Sequence, residues 1–96
     1  MIVHIVMFRF KDENKEANVK SVKTKLEALV EKIESLKSME VGIDVNKSAR
    51  AMDLVLYSTF KNEEGLKNYA THPAHLEVLE FIKAVTVESK VVDYIK

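Results

Sequence analysis

At 96 residues, with fifteen lysines and arginines against fifteen aspartates and glutamates, the chain has no net charge to recruit nucleic acid or an anionic membrane as its main partner. The length predicts one domain over residues 1–96, with a core that holds little besides itself. Cysteine is missing, which excludes a disulfide, a thiolate nucleophile and a cysteine metal site and makes a cytoplasmic location the expectation. Neither a leader peptide nor an apolar run long enough for a bilayer is visible.

The chain opens with a strand. Over Ile2 to Phe10, the set Ile2, His4, Val6, Phe8 and Phe10 shares one face, while Val3, Ile5 and Met7 share the other. Both faces are apolar, so both are expected to be covered. A polar segment from Lys11 begins a helix, with Asp12 or Asn14 as candidate caps. Val19, Val22, Leu26, Leu29, Ile33 and Leu36 then recur at threes and fours, the stripe of one amphipathic helix. Its lysines alternate with glutamates, including the favourable i,i+4 pair Glu16–Lys20, and read as a solvated face.

Met39 to Val45 predicts a short strand with Gly42 as a bulge or close-approach point. Residues Asn46 to Arg50 turn the chain into a third strand, Met52 to Phe60. Asn62 caps the next helix, followed by Glu63 and Glu64 at its positive end, with Leu66, Tyr69 and Ala70 inward. After a break at Thr71-His72, helix resumes from Pro73 with Leu76, Leu79, Ile82 and Val85 inward, and Val87 to Ile95 is the last strand.

The densest chemistry lies at that break. Tyr69-Ala70-Thr71-His72-Pro73-Ala74-His75 contains two of the three histidines and the only proline. Proline excludes the α region for the residue before it and suits the first helical position, so His72 is read as the N-cap. His75 then falls in the first turn, where the helix dipole disfavours imidazolium and leaves a neutral base. Tyr69, at the end of the preceding helix, can face the same pocket.

The order β-α-β-β-α-β predicts a ferredoxin-like α+β fold, with both helices on one face of a four-stranded antiparallel sheet. The other face would expose Val3, Ile5, Met7, Val55 and Tyr57. Two-fold pairing of sheets covers such a patch, so a homodimer through the open face is expected.

With His4 in the first strand, Phe8-Arg9-Phe10-Lys11, Val41-Gly42, Tyr69-x5-His75 and the closing Asp93-Tyr94, the whole chain resembles the stress-responsive α/β-barrel (Dabb) family. The resemblance implies a dimeric α+β barrel. It also implies, from a polyketide cyclase in the family that works without metal or cofactor, roles for two residues. His75 would remove a proton from an activated methylene, and Tyr69 would donate a hydrogen bond to the carbonyl that gains charge. His4 and His72 match two further histidines of that enzyme, whereas its largely aromatic wall positions read Val22, Lys23, Leu26 and Thr86 here, with Lys23 read as turned to solvent.

Catalytic candidates are therefore His75 and Tyr69; ligand-binding candidates are His4, Val6, Phe8, Val22, Leu26, Leu56 and His72. Four readings compete: a non-catalytic stress-related dimer, a binder of a small apolar or aromatic molecule between helices and sheet, a cofactor-free acid–base enzyme, and a heme-using relative with His4, His72 or His75 as axial ligand. The ligand-binding reading is preferred, with no cofactor and no metal. An RNA-recognition domain shares the strand order but needs stacking aromatics on the open face, where Val3, Ile5, Met7 and Val55 supply none.

Overall fold

The computed structural model describes residues 1–96. It runs β1 (Ile2–Phe10), α1 (Lys15–Glu27), a 3₁₀ turn (Ala28–Glu31), β2 (Leu36–Ile43), β3 (Leu54–Phe60), α2 (Glu63–Thr71), α3 (Pro73–Val85) and β4 (Thr86–Ile95). The strands form one sheet in the order β2-β3-β1-β4 with every neighbouring pair antiparallel, a ferredoxin-like α+β arrangement. No helix is long and apolar enough to cross a membrane.

One core fills the space between the helices and the sheet. Phe8, Phe10, Leu54, Leu56, Phe60 and Val41 face Val19, Val22, Leu26 and Leu29 there. The predicted stripe is buried from Val19 to Leu36, but not as one helix. α1 ends at Glu27, Leu29 lies in the 3₁₀ turn, and Leu36 opens β2. Burial requires only that these side chains reach the sheet, and a tightened turn satisfies it as well as a continued α-helix. Asn14 takes the N-cap position in the left-handed region (φ 53°) without a side-chain cap bond, a conformation asparagine tolerates better than most residues.

Other boundaries and faces also differ from expectation. β2 begins three residues earlier than Met39, and β3 begins at Leu54, two residues after Met52. Gly42 pairs regularly with Val55, and a Cβ there would meet Val55 Cγ1 at 3.4 Å, an ordinary van der Waals contact, so Gly42 is neither a bulge nor a close-approach point; the β2 irregularity falls between Leu36 and Ser38 instead. Leu76, expected inward, is exposed, and Val78 is buried. On the open face Val3 is fully covered between Thr59 and Tyr94, while Met7, Val92 and Tyr94 are exposed. Lys23 does not point to solvent: its Nζ donates to the Val41 carbonyl at 2.6 Å and to Glu27 at 2.9 Å.

Candidate functional site

Two caps set the site. Asn62 Oδ1 accepts the Gly65 N–H at 2.9 Å and starts α2. His72 both ends α2 and starts α3: its backbone is extended (φ −66°, ψ 135°), its Nδ1 accepts the Ala74 N–H at 3.0 Å, and Pro73 follows at the helix start. This is the arrangement predicted from the sequence, and it fixes the relation between Tyr69 before the junction and His75 after it.

His75 Nδ1 lies 3.1 Å from the Ala70 carbonyl oxygen. A carbonyl can only accept, so Nδ1 carries the proton and Nε2 of the neutral ring keeps a free lone pair. The His75 pKa is lowered from 6.5, first by burial of the ring; the Ala70 bond opposes this, and the charges of His4 and His72 add to it. The direction is the one expected from sequence, but desolvation is the leading cause.

Tyr69 is 2% exposed. Its ring centroid lies 4.3 Å from that of His75, 5.1 Å from Phe60 and 6.2 Å from His4. Burial raises its pKa, so it is a neutral phenol and a hydrogen-bond donor near pH 7. Ser35 Oγ is the only side-chain polar atom that is both sealed and unpartnered. The Tyr69 hydroxyl, which bonds no group of the chain, therefore keeps contact with the outside although its ring is enclosed.

His4 completes the cluster from β1. Its ring meets those of Tyr69 and Phe60 edge-on, and its Nδ1 lies 2.5 Å from Asp93 Oδ1 on β4. Beside this pair the sheet is uncovered. On the helix-facing side Val91 pairs with Val6 and Ile95 with Ile2, yet Val91 is 63% and Ile95 75% exposed. A cleft of about 540 Å³ between α2 and β4 is lined by Ile2, Leu66, Tyr94 and Ile95 together with Glu63, Lys67 and Asp93.

A sequence model of the Stress Responsive A/B Barrel Domain (Dabb) family matches residues 2–96. The chain belongs to the Dabb family. It is 31% identical over 96 residues (99% of its length) to a stress-response A/B barrel domain-containing protein of Arabidopsis thaliana, but spans only 36% of that longer relative. Identity to a second, shorter protein of the same description and organism is 29% over 94 residues, covering 95% of this chain and 82% of the relative. Among solved structures, a dimeric protein of unknown function and ferredoxin-like fold from Bacteroides fragilis superposes with a TM-score of 0.88 at 34% identity, covering 97% of this chain and 93% of that one.

Within this Dabb chain the structure gathers three of the residues singled out from sequence, His4, Tyr69 and His75. His72 lies at the junction but borders a different, polar cleft with Lys32, Lys37, Lys61 and Asn68. Phe8, Val22, Leu26 and Leu56, expected as ligand walls, are packed in the sealed core between helices and sheet. Val6 is partly buried at its edge. Sequence reasoning missed Asp93, Phe60, Val91 and the Ala70 carbonyl as site components. Strand register was the signal that would have found Asp93, since it stands directly opposite His4. No three histidine, aspartate or glutamate side chains gather at metal-binding distance.

Proposed function

We propose that this Dabb protein is a homodimer that binds a small apolar or aromatic molecule on the uncovered shelf beside Tyr69 and His75. The observation that carries the reading is the Tyr69 hydroxyl: an unpartnered donor on an otherwise enclosed ring, against an imidazole with a free Nε2. His4, Val6 and Val91 supply the adjoining surface, and an apolar body there would gain from removing exposed valine from water. The homodimer is supported by the dimeric Bacteroides fragilis relative and by exposed Met7, Val92 and Tyr94 on the open sheet face.

A second reading, acid–base catalysis without a cofactor as in olivetolic acid cyclase, is favoured by one further observation. Burial holds His75 neutral, so its Nε2 is available to take a proton from an activated methylene while Tyr69 donates to the adjoining carbonyl. The test is titration with 4-propylphenol followed by NMR, alongside sedimentation at micromolar concentration. Signals of Val6, Tyr69, His75 and Val91 shift together, Tyr69→Phe weakens binding about threefold to tenfold for one lost hydrogen bond, and the protein sediments at twice the chain mass. Shifts confined to other residues, or equal affinity in Tyr69→Phe, would refute the binding site; a monomeric mass would refute the dimer.

A further inference from the structure

We propose that Asp93 is a positioning residue of this site, and that the His4 ring it holds is a second imidazole presented to the ligand beside the Tyr69 phenol. The purpose assigned to the pair rests on the ligand-binding reading above; its geometry does not. A carboxylate oxygen accepts from a ring N–H, so the 2.5 Å contact assigns the shared proton to His4 Nδ1 and leaves Nε2, which bonds no group of the chain, as the ring's remaining nitrogen. His4 and Asp93 are direct partners across the β1–β4 ladder and share the helix-facing side. Side chains in such pairs start about 4.5–5.5 Å apart, close enough to meet without displacing either strand.

The surroundings separate this pair from an ordinary cross-strand contact. Arg9 and Glu88, also direct partners in the same ladder, meet at 3.1 Å on the opposite side of the sheet, away from the aromatic cluster. β4 is therefore already tied to β1 by one charged pair. His4 is instead clamped on three sides, by Phe60, by Tyr69 and by Asp93. Its side chain is 16% exposed and that of Asp93 45%, so the pair spans the boundary between the enclosed rings and the α2–β4 cleft. Asp93 lines that cleft, and the imidazole it holds touches the Tyr69 ring on its other side. Fixing a ring's tautomer through a carboxylate on its other nitrogen is how imidazoles are commonly made to present one defined group.

The experiment compares wild-type protein with Asp93→Asn by long-range proton–nitrogen correlation of the histidine rings and by 4-propylphenol affinity. Asp93→Asn shifts the His4 ring nitrogens away from the Nδ1-protonated pattern, leaves those of His75 in place, and lowers affinity about tenfold. His4→Gln gives a similar loss, and the double variant loses no more than either single one, because the two residues act as a unit. The single His4→Gln variant serves as the second test should Asp93→Asn fold poorly. An unchanged His4 pattern in Asp93→Asn, unaltered affinity in either variant, or additive losses in the double variant would overturn the proposal. If the wild type does not bind the phenol at all, the ligand reading fails and His4 has nothing to be presented to. The nitrogen pattern would then still report whether Asp93 orients the ring, which tells that failure apart from a failure of the pairing itself.

Discussion

Leu56 and Val91 flank Val6 from opposite sides on the same face of one sheet, yet the first is 3% exposed and the second 63%. The difference is one of cover. α1 packs against β2 and against α3, whereas α3 meets β4 only sparsely, so the β2–β3 half of the face is sealed and the β4 half is a bare shelf. Enclosed side chains supply stability because removing them leaves a cavity the surroundings cannot fill. The bare half contributes little to folding and is free to hold something else, and the Tyr69–His75–His4 cluster stands along the line where the two halves meet.

The largest effect is expected in the sealed half. Leu26→Ala lowers the unfolding free energy by about 2–5 kcal/mol in a denaturant titration; a loss below about 1 kcal/mol would mean that the contrast between halves is overstated. At the boundary, the effect depends on pH. His75 has a folded pKa below its ordinary 6.5, so between those two values the unfolded chain binds more protons than the native one. Its contribution to stability is fully present above about pH 6.5 and is lost as pH falls through the folded value. His75→Gln removes that portion of the slope, and unchanged pH profiles in the two proteins would show that the ring is not desolvated as described. The smallest folding effect belongs to the shelf: Val91→Ala changes stability by no more than about 0.5 kcal/mol, while weakening 4-propylphenol several-fold through lost apolar contact. A large loss of stability would show that Val91 is structural after all.

What was legible in the sequence was local. Asn62, His72 and Pro73 announced their helix starts because a cap is decided by a few adjacent residues, and alternation along β1 gave its two faces. Alternation does not say whether a face is filled. Phe8, Val22, Leu26 and Leu56 were assigned to the correct side, but as walls of a pocket that the core in fact occupies. The stripe from Val19 to Leu36 identified buried residues without revealing where α1 stops, since a 3₁₀ turn and a strand start continue the same burial. Lys23 looked like one more solvated lysine until β2 brought the Val41 carbonyl within 2.6 Å of it. Asp93 was legible only as part of the closing Asp93-Tyr94, because its partnership with His4 depends on how strands carrying residues 89 positions apart are aligned.

The junction at His72 bears on how this architecture tolerates change. One residue closes α2 and opens α3, so no slack separates the phenol from the imidazole that follows it. Each residue advances an α-helix by roughly 100°, and a single insertion after Pro73 would swing the ring of His75 more than a quarter turn around its axis. Side chains along the shelf can vary in size without touching that spacing, whereas the length of the segment from Tyr69 to His75 cannot vary at all.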